Sequence, residues 1–271
     1  REGACARPDT ATEAATSPMT APGRPLVIAH RGASAAAPEH TIAAFERALA
    51  LGADGLQLDV HLSHDDQLVV LHDFTLERVT DGAGAVRALS VRELKRLDAG
   101  GWFGAAFRGQ RLQTLPEMLE RFRDRTRFWI ELRGGSALYP GIEERVVGCL
   151  EVYDVLDRSL VQSFDVEALR MMRGLSREIR LGMLVAHRPV DLEGDLGPGL
   201  NAVCPSVADL GQAERAAIRA AGRECHVWTV NEPALVDRLV DWAVEGIVTD
   251  RPELVRARVD ARGAADRPVG G

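Results

Sequence analysis

Short apolar runs alternate with helical segments along most of this chain, and that alternation limits what it can fold into more than any other feature. Candidate strands occupy Leu26–Ala29, Gly55–Val60, Phe128–Leu132, Leu160–Ser163, Arg180–Leu184, Ala202–Cys204, His226–Val230 and Gly246–Thr249. Helical segments fall between most of them, near residues 141–152, 165–174, 210–221 and 233–243, and a last helix follows Pro252. Unbroken apolar runs of this length suit strands buried on both faces. Eight of them, alternating with helices in one stretch, favour an α/β fold of the (β/α)8 TIM-barrel type over a doubly wound sheet.

The first unit shows the pattern clearly. Leu26–Ala29 ends on His30-Arg31-Gly32. Thr41 can then cap a helix whose Ile42, Phe45 and Leu49 share one face, with Gly52 after the last turn. One departure from alternation follows the second strand. Residues 61–67 are polar, with Asp65-Asp66 as a turn signal, and Leu68–Leu71 is apolar again. So short a connection predicts an antiparallel hairpin, which brings His72 back towards Asp59. Residues 81–110 are Gly-rich, with a capping-box pattern at Ser90–Glu93, and read as an insertion over one end of the barrel. Thr114–Glu117 opens a further helix in the same way.

The domain is expected over residues 25–260, between a disordered N-terminal tail (1–24) and a loose C-terminal tail (261–271). Met19 stands as an alternative start, and the upstream residues show no secretory hydrophobic core. With 46% hydrophobic residues the chain can build a sizeable core, and its net charge of −7 argues against nucleic-acid binding. No apolar run approaches a membrane span, so stable membrane insertion is not expected. Four scattered cysteines give neither a metal spacing nor a disulfide framework, which points to reduced thiols and a cytoplasmic location. Lys95 is the only lysine, a compositional bias that matters wherever an Arg fills a Lys-type position.

On the barrel reading, the strand ends bring His30-Arg31, Gln57 and Asp59, Glu131 and Arg133, Ser163-Phe164, Trp228, Asn231 and Asp250 to one mouth. Taken singly, most have ordinary explanations. Asp250 before Arg251-Pro252 reads as a helix N-cap, Asn231 likewise, and Trp102, Phe103 and Phe107 as loop packing. Jointly they suggest phosphoester cleavage. Two imidazoles suit general acid and base roles near neutrality. Arg31 and Arg133 can hold phosphate oxygens through paired donors. Asp59 and Glu131 are hard oxygen ligands suited to Ca²⁺ or Mg²⁺, and no His- or Cys-rich cluster suggests zinc.

The sequence also resembles the glycerophosphodiester phosphodiesterase family. The resemblance is carried by His30-Arg31-Gly32, Pro38-Glu39-His40-Thr41, Gly52–Gly55 with Asp59-Val60, and His72-Asp73. Further matches are Leu115–Glu117, Ile130–Arg133, Gln162–Asp165, Trp228–Asn231 and Gly246–Asp250, in order over about residues 26–255. It implies a phosphatidylinositol-phospholipase-C-like barrel that hydrolyses a small-molecule glycerophosphodiester to sn-glycerol 3-phosphate and an alcohol with a divalent cation, Ca²⁺ or Mg²⁺. By the same resemblance His30 and His72 are catalytic, Arg31 and Arg133 contact phosphate, and positions 57, 59 and 131 hold the metal; Trp228, with Phe164 and the aromatic residues of the 81–110 insertion, is a candidate to shape the alcohol pocket of the substrate site.

Three departures from the pattern stand out. His40 replaces the usual Asn, Arg133 the usual Lys, and Gln57 a metal-ligand Glu. Gln57 removes one negative charge, and Glu39 is a candidate to compensate. Three readings follow: an active hydrolase, a catalytically weakened barrel that binds a phosphodiester or phospholipid headgroup, and cleavage of intact lipids by the same site. Attack by the glycerol 2-hydroxyl or by water, the order of the histidine roles, and the oligomeric state stay open.

Overall fold

The computed structural model describes residues 24–187 and 199–265. Ten strands and nine α-helices occur among them. The strands are β1 (Leu26–His30), β2 (Gly55–Leu62), β3 (Leu68–Val70), β4 (Gln113–Thr114), β5 (Arg127–Leu132), β6 (Ser159–Ser163), β7 (Arg180–Val185), β8 (Ala202–Pro205), β9 (Glu224–Val227) and β10 (Gly246–Thr249). The helices are α1 (Ile42–Ala50), α2 (Val91–Leu94), α3 (Leu115–Phe122), α4 (Gly135–Leu138), α5 (Ile142–Val152), α6 (Val166–Leu175), α7 (Gln212–Ala220), α8 (Pro233–Asp241) and α9 (Pro252–Ala265).

Eight strands pair in parallel in the order β1-β2-β5-β6-β7-β8-β9-β10, and β10 returns to β1. The sheet closes into a (β/α)8 barrel with no free edge in the ring. β3 leaves it as the antiparallel partner of β2, with Val60 opposite Val70, and β4 adds to β3. The hairpin expected from residues 61–71 is present, and β4 extends it unexpectedly.

Apolar side chains separate into three regions. The largest lies between strands and helices. There Phe45 and Ala48 of α1 meet Leu56 and Leu58 of β2. Burying Phe45 alone stabilises the fold by roughly 2–3 kcal/mol. Thr41 caps that helix as its position predicts, accepting the Ala44 N–H. A second region fills the barrel interior with Ile28, Trp129, Leu160, Leu184, Ala202, Cys204 and Val248. Gly55 is required there, because a Cβ would sit 2.1 Å from the Trp129 ring. The third is a small core of its own under the insertion, built from Leu71, Leu76, Val79, Val86, Leu94 and Leu112.

Several boundaries differ from those the sequence suggests. β9 ends at Val227, with Trp228 keeping a single parallel bridge to Ser206. α9 continues to Ala265, so residues 261–265, assigned to a loose tail, are helical. Arg24, placed in the N-terminal tail, is ion-paired to Asp260 at 3.0 Å. The remaining residues of both expected tails, 1–23 and 266–271, lie outside the described residues.

Candidate active site

The carboxyl ends of β1, β2 and β5, with the turn after β3, carry a connected set of charged side chains. His30 is the last residue of β1, and its Nδ1 lies 2.7 Å from Asp250 Oδ1. Asp250 immediately follows β10. It also accepts from Ser34 Oγ at 2.8 Å and Asn231 Nδ2 at 2.6 Å. Asn231 in turn accepts from Thr249 Oγ1 and the Asp250 N–H. Neither residue is merely a helix cap: both side chains are turned inward to hold His30. Burial would raise the Asp250 pKa, but bonds from His30, Asn231 and Ser34 outweigh it and bring it down to about 2.

His72 follows β3, and its Nδ1 meets Asp73 Oδ1 at 2.6 Å. Burial and then the Arg31 charge hold its pKa below the usual imidazole value. Arg78 grips Asp73 through Nε at 2.6 Å and reaches Glu39 with both terminal nitrogens at 2.8 Å. Glu39 also accepts from Arg31 Nη1 at 3.0 Å. Burial alone would raise Glu39, yet Arg78 leads the charges that lower it to about 2. Glu39, expected as a reserve metal ligand, is paired here with two guanidiniums. Arg78 was missed by sequence reasoning, although its place in the turn next to His72-Asp73 was a usable signal.

Arg31 sits in a tight turn with φ of +59°, followed by Gly32 at +89°. A Cβ on Gly32 would lie 2.7 Å from the Ala44 backbone, so α1 can pack this closely only against glycine. Behind Arg31 lies Asp59, fully buried. It accepts from Gln57 Nε2 at 2.8 Å and His40 Nε2 at 2.8 Å, with Arg31 Nε at 3.3 Å. Burial would raise Asp59, but these donors hold it well below the ordinary carboxylate range. Glu131 moves the other way, pushed up by burial and by the nearby Asp59 charge, although Arg133 donates to it.

Arg133 also lies over the Phe74 ring at 5.6 Å. Beneath the turn, buried His61 joins Tyr139 Oη to the His72 carbonyl. Trp228 stands apart from this charged set. Its indole N–H donates to the Cys204 carbonyl at 2.7 Å and its ring meets Phe164 edge-on at 5.8 Å. Trp102, Phe103 and Phe107 stack edge-to-face within the insertion, as loop packing predicts.

The glycerophosphoryl diester phosphodiesterase family model matches residues 30–254. The chain belongs to this family. A glycerophosphodiester phosphodiesterase of Caldanaerobacter subterraneus subsp. tengcongensis is 38% identical over 237 residues, covering 84% of this chain and 95% of that protein. One of Bacillus subtilis is 33% identical over 260 residues, covering 87% of each. Among solved structures, an Oleispira antarctica phosphodiesterase in complex with the product sn-glycerol-3-phosphate matches with TM-score 0.80 and 29% identity. That match covers 88% of this chain and 97% of the other. The family is one of phosphoric diester hydrolases.

Glycerophosphodiester phosphodiesterases generally use a divalent metal. In this member the donor set does not match one well. Among the described residues no group of three or more His, Cys, Asp or Glu is arranged to hold a metal ion. Asp59 and Glu131 are the carboxylates in place. Gln57 is neutral, with its carbonyl oxygen accepting the Arg31 backbone N–H at 3.1 Å.

Proposed function

We propose that this chain hydrolyses small glycerophosphodiesters to sn-glycerol 3-phosphate and an alcohol, with His30 and His72 as the acid–base pair. The observation that carries this reading is the matched orientation of the two imidazoles. Each Nδ1 is bound to a carboxylate, and among the described residues neither Nε2 has a protein hydrogen-bond partner. An Nδ1–H held this way turns Nε2 towards substrate, where the neutral His30 ring presents a lone pair and the His72 ring, which must enter the first step protonated, presents an N–H.

In the first step His30 Nε2 removes the proton from the attacking hydroxyl, either the glycerol 2-hydroxyl or water. Oxygen bonds to phosphorus, and the departing alkoxide takes a proton from His72 Nε2. If the 2-hydroxyl attacks, a cyclic phosphodiester forms, and water opens it with the two roles exchanged. Arg31 and Arg133 bind the non-bridging oxygens and offset the charge that builds on them. Trp228 and Phe164 form the apolar wall on the alcohol side. A family cation, Ca²⁺ or Mg²⁺, would fall to Asp59 and Glu131, and no step above depends on it.

The same geometry suits the second reading, a barrel that binds a phosphodiester without efficient turnover, because Gln57 weakens the acidic end of the site. Glycerophosphocholine given to the purified chain with Ca²⁺, Mg²⁺ or chelator separates the two. Release of glycerol 3-phosphate is the expected result, and binding without release in every arm would establish the weakened barrel. His30→Ala and His72→Ala should each cost about 10²–10⁴-fold in kcat. Full activity in either variant would remove that histidine from the mechanism.

No described helix is long and apolar enough to cross a membrane. Free Cys149, Cys204 and Cys225 support a cytoplasmic setting. Burial raises the thiol pKa of Cys149 to about 11 and of Cys225 to about 12, and both act as small apolar residues.

A further inference from the structure

We infer that Gln57 and His40 together take over at Asp59 the place that a divalent cation holds in such sites. The chain therefore binds Ca²⁺ and Mg²⁺ weakly, and exchanging both donors restores a cation site. This deepens the hydrolytic reading and rests on it.

The orientation of Gln57 is fixed by its neighbours. The Arg31 backbone N–H donates to the Gln57 main-chain carbonyl at 3.0 Å and shares that bond with the Gln57 side-chain oxygen at 3.1 Å, and Asp59 can only accept, so the amide oxygen faces Arg31. The amide nitrogen is then left pointing at Asp59 Oδ1, at 2.8 Å. Reversing the amide would set nitrogen against N–H and oxygen against carboxylate. Turning the Gln57 oxygen towards a cation shared with Asp59 would therefore give up the amide's bond to Asp59 Oδ1.

His40 completes the clamp on the other oxygen, with Nε2 at 2.8 Å from Oδ2. Its ring is buried, 6.2 Å from Phe45, and its backbone, at φ +60°, donates to the Arg31 carbonyl at 3.0 Å. Thr41 anchors the next position by capping α1. His40 therefore cannot swing aside without disturbing the turn that carries Arg31. The residue that departs from the family pattern at position 40 and the one at position 57 thus meet on a single carboxylate.

Charge points the same way. The two acids, Asp59 and Glu131, are faced by Arg31 and Arg133, and the third position is neutral. Calcium affinity follows the number of charged ligands and the rigidity of the site. The charge count is low here, and the rigid arrangement holds both acids on protein donors that a cation would have to displace.

Isothermal titration calorimetry of the full chain with CaCl₂ and MgCl₂ tests this, comparing wild type with D59N, Q57E and H40N/Q57E. Wild type should match D59N, with no binding tighter than about millimolar, and H40N/Q57E should bind about tenfold or more tightly than wild type. Circular dichroism and thermal melting report whether each variant is folded. If the double variant is not, the Q57E titration and its cation-dependent rise in Tm carry the comparison. Micromolar binding by wild type that D59N abolishes would overturn the inference, as would natively melting Q57E and H40N/Q57E that gain nothing. Failure to hydrolyse glycerophosphocholine would count against the proposed reaction and would leave the calorimetric comparison unchanged.

Discussion

The two histidines each meet a carboxylate, at 2.7 and 2.6 Å, but the carboxylates are held by different means. Asp250 is fixed by Ser34 and Asn231, Asp73 by the Arg78 guanidinium. Asp250→Asn should leave His30 without its charged partner and lower kcat by more than about tenfold, read from initial rates of glycerol 3-phosphate release. It should also change acid stability. The folded-state pKa of Asp250 is depressed to about 2 from 3.8, so its contribution is complete above about pH 4 and is lost as pH falls through 2. That contribution is about 2 kcal/mol at most. Urea unfolding at stepped pH should therefore show wild type above D250N at pH 7, with the gap closing between pH 4 and 2. His30, His72, Arg31, Arg133 and Asp59 were legible in the sequence because a strand-end position and a chemical type identify each of them. Asp250 and Asn231 were not, because a local capping explanation was available and the bond that refutes it joins residues 220 apart. The joint role of His40 and Gln57 was hidden for the same reason: each was visible as a substitution, while their meeting on Asp59 needs the folded turn.

At the level of elements, the turn after β3 does more than return the chain. It carries His72 and Asp73, and through Arg78 it is tied to Glu39 in the loop before α1. Arg31, Glu39, Arg78, Asp73 and His72 thus form one line of contacts between the turn after β1 and the second histidine. Arg78→Ala should cut that line. Arg78 is about two-fifths exposed, so stability should fall by less than about 1 kcal/mol while kcat drops by up to about 10²-fold through misplacement of His72. Arg78→Lys should restore little, since an ammonium cannot span two carboxylates as the fork does. Measuring kcat and Tm together distinguishes this from unfolding. The hairpin itself could be read from alternation and the Asp65-Asp66 turn. β4 could not, because two residues carry no periodicity, and its pairing with β3 joins segments on either side of the insertion and its core.

On the scale of the whole barrel, the end opposite the mouth is closed by a buried polar layer. Trp129 Nε1 donates to His226 Nδ1 at 2.8 Å, His226 Nε2 lies 3.1 Å from Glu224, and Arg180 reaches Glu224 at 2.8 Å. Arg180 and Glu224 open their strands, so this layer lies at the amino ends of β7 and β9. Arg180→Met should lower stability in urea titration by more than about 1 kcal/mol, because it removes a guanidinium partner of the buried Glu224 carboxylate. Because the layer is remote from the mouth, kcat of the folded fraction should not change. Eight strands and their order were legible from alternation alone, since each strand writes its own apolar run. This polar layer was not, because a buried charge is indistinguishable in sequence from a surface one. The bond between His30 and Asp250 joins the first strand of the ring to the residue just after the last. On the proposed mechanism, catalytic competence would therefore need the closed ring, because the partner of the His30 imidazole comes only from the residue after the last strand. Turnover by this protein would accordingly report, molecule by molecule, that the circle has been completed.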